Sequence, residues 1–416
     1  MTSGMRQNRT LTYCVRLAQY LVGTVFVLSG LLKGIDPVGT SFKIGEYATA
    51  FGIPLPEQVA LVAAVALNLI ETLLGVCILG GVRRRLATLA MLLLMLPLTA
   101  LTLYIVIANP VADCGCFGDA IKISNHATFW KNVVLLLATL LLFLFPTRLH
   151  RAVPENRSTA VLCVAVLLIT YFNIYPILHL PVIDFRPYKV GTDLASANGT
   201  DGVYDYRFVY TKDGEERIFD LDEVAELDST WLFVRDSITT VRPPQESPVA
   251  DFLLLDRDGT PVTDMLTTPP ARALLYITTD LLRLSDQDLS YALSLQTQTG
   301  EPVTIVMSNS FGDLSTQSNR VSPFGRILYL DRTAATTVIR ANPGLLVLDQ
   351  GKIVRKTAAR DLPQLLKQAT FRANPYTPET SDELLYRRGL TFGPILAGLL
   401  LLLIMGIYYR KESHES

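Results

Sequence analysis

Six apolar stretches constrain this 416-residue chain more than any other feature. A stretch of about 18 apolar residues or more is a candidate transmembrane helix, because roughly 20 helical residues span the hydrocarbon core of a bilayer. One such stretch could be a buried core helix, but six in one chain indicate a membrane protein. A charged fraction of only 18% and a net charge of −1 also argue against a disordered chain or a nucleic-acid binder. The stretches are Val15–Leu32, Val59–Gly81, Leu86–Ala108, Trp130–Phe145, Thr159–Leu180 and Thr391–Tyr409.

Basic residues in the short connections predict the orientation. Arginines precede the first stretch and follow the second and fourth, at Arg83–Arg85, Arg148 and Arg151, whereas the alternate connections contain none. Cytoplasmic loops of membrane proteins carry an excess of lysine and arginine. The alternation predicts a multi-pass protein of the bacterial inner membrane with six spans and both ends cytoplasmic. Residues 109–129 and 181–390 are then periplasmic.

The region between the fifth and sixth stretches has shorter apolar runs and an excess of acidic residues. Alternating β-formers at Tyr204–Tyr210 and Arg217–Leu221 flank a Lys-Asp-Gly turn, which predicts a hairpin. Trp231–Val234 adds a strand, and the proline-rich segment 242–248 is typical of a linker. Residues 181–246 are therefore predicted to form a small β-rich subdomain.

Beyond this linker, strands and helices alternate and close with a hairpin and a helix, which predicts an α/β sandwich over residues 247–372. Helices are expected over residues 285–299, 334–340 and 362–369. The predicted strands are Asp251–Leu255, Ala273–Thr278, Val303–Met307, Ile327–Leu330, Leu345–Leu348 and Lys352–Val354.

This order resembles the thioredoxin fold in its peroxiredoxin- and TlpA-like branch. The matching residues are Pro248–Phe252 with Asp258-Gly259, and Asn342–Pro343 before a strand, where the family has a cis proline. The resemblance implies redox cysteines just after Ala273–Thr278, but Ile183–Ser416 contains no cysteine. A domain without thiols cannot exchange disulfides. The domain is predicted to be a thioredoxin-like relative without redox activity that binds a partner or has a structural role.

Two of the five cysteines, Cys114 and Cys116, lie in the polar segment 113–119 on the predicted outer side, where disulfides persist in bacteria. A disulfide between them closes a very small ring, and such strain makes a bond more reducible. Nearby aspartates disfavour thiolates, whereas Lys122 and His126 favour them. The residues leave open a redox-active pair, a structural disulfide, a metal site and free thiols.

Glu71 lies near the middle of the second stretch. An ionisable group at this depth is costly and is a functional candidate by default, although a protonated carboxyl bonded between helices is an alternative. Asn68, one helical turn earlier, is expected in the same interface.

Lys33 and Lys131 end their spans and are expected to snorkel towards water. Polar residues of the fifth stretch, His179 and Asn173, are expected to have packing or interfacial roles.

The segment Cys-Gly-Cys-Phe-Gly-Asp at 114–119 resembles that of the membrane protein family MauE, which belongs with the DoxX-like four-helix proteins. The resemblance covers about residues 12–146. The whole layout also resembles a Bacteroidetes DoxX- or MauE-like family with an appended thioredoxin-like domain. The implied role is to help periplasmic disulfides form in a partner enzyme. The MauE family is associated with methylamine utilisation. Because this sequence contains no amine dehydrogenase signature, that association comes from the family alone. Further matching residues are Arg16, Gly23, Phe26, Ser29–Leu31, Lys33, Asp36-Pro37, Tyr47, Glu71, Gly75 and Gly80-Gly81.

Together these features predict a membrane α-helical bundle of six transmembrane helices with a DoxX/MauE-like four-helix core, a small β subdomain and a periplasmic thioredoxin-like domain. The domain limits are 12–146, 159–180, 181–246, 247–372 and 391–409. The favoured hypothesis is thiol–disulfide chemistry for a periplasmic thiol protein or envelope complex, with Cys114, Cys116 and Glu71 as candidate catalytic residues. No cofactor or metal site is evident, and a quinone is a candidate electron acceptor. The alternatives are a non-enzymatic scaffold with a structural disulfide and an oxidoreductase subunit that needs a cofactor-bearing partner.

Overall fold

A computed structural model describes residues 2–111, 113–194, 203–212, 215–220, 230–242, 249, 252–262, 268, 270–308, 320–394 and 397–398. The described chain has a bundle of long apolar helices, followed by a region that contains two β-sheets.

Five of the described helices are long and apolar enough to cross a membrane. They confirm the first five predicted spans and show a multi-pass membrane protein. Of the sixth predicted span, Thr391–Tyr409, residues 391–394 and 397–398 are helical, and its other residues lie outside the described part of the chain. The spanning helices are α1 (Thr2–Ile35), α3 (Glu57–Gly80), α4 (Arg84–Ala108), α5 (Asn125–Leu144) and α6 (Ser158–Leu178).

Glycines allow α1 and α3 to approach each other closely. A Cβ atom on Gly75 would lie 2.8 Å from the backbone nitrogen of Val27 and 3.0 Å from the carbonyl oxygen of Gly23. Small residues at such crossings let two helix backbones pack against each other within a membrane. This approach brings the polar residues of α1 next to those of α3.

The connections alternate between two ends of the bundle. At one end, which we call the arginine end, Arg84 donates hydrogen bonds to the carbonyl oxygens of Thr147 and Leu149, so the loops after α3 and α5 meet there. Residues 109–124 lie at the other end, which we call the cysteine end. The sheet-containing region packs there too, because Arg340 contacts Asp119. The sequence-based prediction that these two segments share one side of the bundle is therefore confirmed.

A short helix at the cysteine end, α2 (Pro37–Ala50), was not predicted. The Asp36 side chain caps it by accepting a hydrogen bond from the backbone nitrogen of Gly39, and Pro37 occupies the first helical position. Both features favour the start of a helix. The helix is short and carries charges, so its sequence does not resemble a membrane span.

The small β-rich region forms a three-stranded antiparallel sheet of order β2-β1-β3. The predicted hairpin is confirmed in β1 (Val203–Lys212) and β2 (Glu215–Asp220), which pair with Lys212 opposite Glu215. The third strand, β3 (Leu232–Arg242), is longer than the predicted Trp231–Val234. Most of the predicted linker lies outside the described residues.

A five-stranded sheet of order β6-β5-β4-β7-β8 forms the centre of the larger region. Strands β4, β5 and β6 are parallel, and β7 and β8 add an antiparallel hairpin. The peptide bond Asn342–Pro343 before β7 is cis, as the resemblance implied. The strands are β4 (Ala273–Thr278), β5 (Val303–Met307), β6 (Arg326–Tyr329), β7 (Gly344–Asp349) and β8 (Lys352–Ala358).

Both faces of this sheet are buried. Leu274 and Tyr276 of β4 join the core under α7 (Asp286–Thr299), whereas Leu275 and Ile277 join the core under α8 (Arg332–Val338). This alternation follows from the two-residue repeat of a strand. A sheet covered on both sides matches the predicted layered α/β architecture.

Two details of the predicted secondary structure are wrong. Residues 252–254 form no strand, and Leu255 makes only isolated bridges to Pro261 and Tyr329. The predicted helix over residues 362–369 is instead two short helices, α9 (Leu362–Leu365) and α10 (Ala369–Ala373). Residues 381–394 are helical and lead back towards the bundle.

Candidate functional site

The two loop cysteines face each other at the cysteine end. Their Sγ atoms are 2.7 Å apart and both are free thiols, and each side chain is half-buried. The loop is fixed by the helices beneath it, since the Tyr47 hydroxyl donates to the carbonyl oxygen of Cys114 (2.8 Å) and Ser29 Oγ donates to that of Cys116 (2.7 Å). Gly115 between them has a φ of +64°, a conformation that suits glycine.

Glu71 lies directly below this loop and forms an ion pair with Lys33. The Lys33 Nζ is 2.9 and 2.7 Å from the two carboxylate oxygens, and Ser29 Oγ lies 3.2 Å from Glu71 Oε2. Lys33 is only 6% exposed, so the prediction that it snorkels towards water is wrong. The close packing of α1 against α3 brings the two charges together, and a buried charge requires such a partner.

A cavity of about 220 Å³ connects the cysteines with this ion pair. Apolar side chains from α1, α3, α4 and α5 form most of its wall, among them Phe26, Leu67 and Leu101. Its polar lining includes both cysteines, Glu71 and three lysines. A mostly apolar pocket with a few convergent polar groups is the usual form of a small-molecule site.

The charges around the cysteines favour a thiolate on Cys116. A hydrogen bond from the Cys114 thiol and the charges of Lys131 and Lys33 together lower the pKa of Cys116 to about 6, against the opposing effect of burial. The same hydrogen bond and burial raise the pKa of Cys114. The pair therefore shares one proton near neutral pH, with Cys116 as the better nucleophile.

Other charges near the loop differ from the sequence-based expectation. Lys33 and Lys131 act on the cysteines, whereas Lys122 and His126 were expected to do so. The Lys131 Nζ lies 4.6 Å from the centre of the Phe117 ring and lines the cavity. The Oδ1 atom of Asp113 lies 3.3 Å from Lys43 Nζ, so the lysine balances the negative charge of this carboxylate.

The sheet-containing region attaches to the loop through Arg340, which precedes the cis peptide bond. Its Nε donates to both carboxylate oxygens of Asp36 (3.1 and 2.9 Å), and its Nη2 lies 3.4 Å from Asp119 Oδ2. Arg340 also lies over the Phe42 ring of α2, at 5.1 Å. These contacts place the region without cysteines directly beside the cysteine loop.

Further buried charges extend this attachment. The Nε atom of Arg186 lies 3.0 Å from Asp184 Oδ1, and Lys356 Nζ of β8 lies 2.7 Å from Oδ2 of the same carboxylate. The Arg186 Nε also lies 4.0 Å from Asp36 Oδ2. We call the set of Asp36, Asp119, Asp184, Arg186, Arg340 and Lys356 the docking cluster.

Two polar residues of the spans have partners in other elements. Asn68 donates to Asn173 Oδ1 of α6 (3.1 Å), so it joins α3 to α6. His179 Nδ1 lies 2.7 Å from Asp361, which connects the end of α6 to the sheet-containing region. Within the described residues, no group of three histidine, cysteine, aspartate or glutamate side chains could hold a metal ion.

The roles of Tyr47, Asp36 and Arg340 were not predicted from the sequence. The Asp-Pro start of α2 is a local signal that could have located Asp36 as a helix cap. Arg340 has no such signal, because its carboxylate partner is 304 residues away.

The helices and the site define a multi-pass α-helical membrane protein with two thiols above a mostly apolar cavity that contains an ion pair, at one end of its bundle. Residues 11–145 match the family model described as Methylamine utilisation protein MauE. This part of the chain, which contains the first four spanning helices, is therefore similar to the MauE family. Residues 204–243, which contain the three-stranded sheet, match a domain of unknown function, DUF8463. Neither the curated proteins nor the solved structures gave a match.

Proposed function

We propose that the chain oxidises thiols of a periplasmic partner protein through Cys114 and Cys116. The observation that carries this proposal is the 2.7 Å contact between the two thiols above a cavity that contains an ion pair. The cysteine end then faces the periplasm, as the arginines at the opposite end favour. The family description associates relatives with methylamine utilisation, and we infer only the disulfide chemistry for this chain.

In the proposed reaction, a thiolate of the partner attacks one sulfur of the oxidised Cys114–Cys116 pair. The intramolecular S–S bond breaks and a mixed disulfide forms, and the partner's second thiolate then displaces the bound sulfur. The partner loses two electrons and becomes a disulfide, and the pair gains two electrons and two protons to become two thiols. The low pKa of Cys116 makes it the better leaving group.

We infer that the thiol pair returns its electrons to a lipid-soluble quinone in the cavity. Two electrons and two protons leave the thiols, and the disulfide is restored. The apolar wall accommodates a ring, and the Lys33 and Lys131 ammonium groups can donate hydrogen bonds to carbonyl oxygens. The Glu71 carboxylate, 2.7 Å from Lys33, can accept a proton from the site.

The role we propose for the sheet-containing region is to bind the partner and to hold the loop. The order of strands β6-β5-β4-β7-β8 supports a thioredoxin-like fold, and the absence of cysteines from residues 183–416 excludes thiol chemistry of its own. Its position beside Asp119 brings a bound partner close to the thiols.

Thiol trapping of the full-length protein in cells tests the redox proposal. Cys114→Ser and Cys116→Ser should each leave partner thiols reduced, whereas Cys163→Ser, the same change in a span, should not. The wild-type pair should titrate well above about −300 mV. A pair that stays oxidised down to that potential, with partners unaffected by either variant, would instead support a scaffold with a structural disulfide.

A second experiment tests the quinone step in purified protein. Decyl-ubiquinone should oxidise the thiol pair, and Leu101→Trp, which fills the cavity, should slow this oxidation. Leu103→Trp is a matched control, because Leu103 is exposed on the outer surface of the same helix. Equal rates in the two variants would contradict a quinone in this cavity but would leave the thiol exchange with the partner in place.

A further inference from the structure

A second cavity, separate from the cysteine site, lies at the end of α6. Its volume is about 600 Å³, and it opens between the last turns of α6, strand β8 and the helix over residues 381–394. Apolar and aromatic side chains, including Tyr171, Ile174 and Leu178, form one wall. Arginines and carboxylates form the other wall. The cavity therefore has one apolar wall and one charged wall.

This cavity lies at the end of a candidate membrane-spanning helix, and the ends of such helices lie near the headgroups of a bilayer. Helix α6 is a candidate membrane span that ends at Leu178, and the chain continues from there to the sheet-containing region. Tyr171 and Tyr175 lie in its last two turns, and tyrosine is enriched at the boundary between membrane and water. The Tyr171 hydroxyl donates to the carbonyl oxygen of Leu390, which joins the two helices that frame the cavity.

Two arginines of this cavity have buried Nε atoms without a hydrogen-bond partner among the described residues. The Arg355 side chain is only 5% exposed; its Nη2 donates to Glu383 (3.0 Å) while its Nε is unpaired. Arg387 likewise places Nη1 3.4 Å from Glu379 and leaves its Nε unpaired. A buried N–H without an acceptor is costly, and a phosphate oxygen is a strong acceptor for guanidinium groups.

The carboxylates around these arginines restrict which phosphate compound fits. Glu379, Glu383 and Asp361 all line the cavity, so carboxylates outnumber the two arginines. A headgroup with a negative phosphate alone would be repelled by this excess. A headgroup that also carries a primary ammonium can donate hydrogen bonds to these carboxylates.

We propose that this cavity binds an amino-phospholipid such as phosphatidylethanolamine. The phosphate accepts hydrogen bonds from the guanidinium groups of Arg355 and Arg387, the ammonium group contacts the carboxylates, and an acyl chain lies along Tyr171 and Ile174 of α6. Such a lipid would connect the fifth span to the sheet-containing region at the membrane surface.

Native mass spectrometry of the full-length protein tests this assignment. The protein is released from nanodiscs that contain equal amounts of phosphatidylethanolamine and phosphatidylglycerol, and the retained lipid is identified. Arg387→Gln should lower retention of phosphatidylethanolamine roughly tenfold, the effect expected when one charge-assisted hydrogen bond is lost. Arg388→Gln is the matched control, because Arg388 is the exposed neighbour outside the cavity.

Leu178→Trp provides an independent test, because it fills the apolar side of the cavity and leaves both arginines in place. This variant should also lose phosphatidylethanolamine, and it decides the question if Arg387→Gln does not fold. Retention of phosphatidylglycerol equal to or above that of phosphatidylethanolamine would overturn the proposal. So would equal retention by Leu178→Trp and the wild-type protein.

Discussion

Two clusters of buried charge lie within a short distance of the cysteine loop, and they differ in what surrounds them. The Lys33–Glu71 pair lies inside the helix bundle and faces a cavity that reaches the thiols. The docking cluster lies between the bundle and the sheet-containing region. There, Arg340 is held between Asp36, Asp119 and the Phe42 ring.

This difference separates a reactive role from a structural one. A charge that borders a cavity shared with the thiols can contact a ligand there and move a proton. Asp119, Arg186 and Arg340 of the docking cluster also border a cavity, of about 260 Å³, but neither cysteine lines it. A charge held between two protein surfaces mainly fixes their relative position, because its partners occupy its hydrogen-bonding groups. We therefore expect changes in the first cluster to alter both stability and chemistry, and changes in the second to alter mainly the attachment of the sheet-containing region.

Lys33→Met is expected to have the largest effect. It leaves the Glu71 carboxylate buried without its cation, which should destabilise the protein by about 3–5 kcal/mol. The double variant Lys33→Met with Glu71→Met removes both charges and should recover most of this stability. Thermal unfolding in detergent measures both effects.

The same double variant separates folding from chemistry. If the ion pair takes part in the proposed reaction, the double variant should fold but oxidise partner thiols more slowly than the wild-type protein. Full activity in a stable double variant would mean that the pair serves only to join α1 to α3.

Arg340→Gln should detach the sheet-containing region from the cysteine loop. Removing one member of a buried charge pair typically costs about 2–5 kcal/mol, much of it from the partner left unpaired. Limited proteolysis should therefore cleave the variant faster than the wild-type protein. Arg332→Gln is the control, because Arg332 pairs with Glu57 across the same junction but is 49% exposed, so its loss should cost at most about 1 kcal/mol. Equal proteolysis of the two variants would contradict a special role of the docking cluster.

The elements of this fold could be predicted where the signal is local. Five spans followed from the length of apolar runs, and the strands β4 and β5 agree with their predicted limits because both are short, fully buried runs. Leu255 shows the limit of such arguments, since its apolar neighbourhood resembles a strand but its pairing stops at single bridges.

The site was predictable only in part for the same reason. Cys114, Cys116 and Glu71 drew attention because their residue types are unusual in a polar loop and an apolar span. The ion pair with Lys33 depends on how closely α1 and α3 pack, and the contact between Arg340 and Asp36 depends on the attachment of a distant region. Neither contact leaves a pattern in the neighbouring residues.

The titration of Cys116 gives a prediction of intermediate size. With its pKa lowered to about 6, the thiol is mostly ionised at pH 7 and mostly protonated at pH 5, so its alkylation by iodoacetamide should slow roughly tenfold between these values. Mass spectrometry of the labelled peptide measures this rate at each pH. Cys114→Ala removes the donor thiol and should move the midpoint towards about 8.5. An unchanged midpoint in Cys114→Ala would show that the lysines alone set the thiolate.

Ser29→Ala should have the smallest effect, and it tests the connection between the ion pair and the loop. Ser29 Oγ lies within hydrogen-bonding distance of both Glu71 and the carbonyl oxygen of Cys116, so it joins the buried carboxylate to the cysteine backbone. Loss of one such bond costs about 0.5–1.5 kcal/mol. Thr99→Ala removes a hydroxyl that bonds only within α4 and is the control. If Ser29→Ala leaves the alkylation rate of Cys116 equal to that of Thr99→Ala, the loop does not depend on the ion pair for its position.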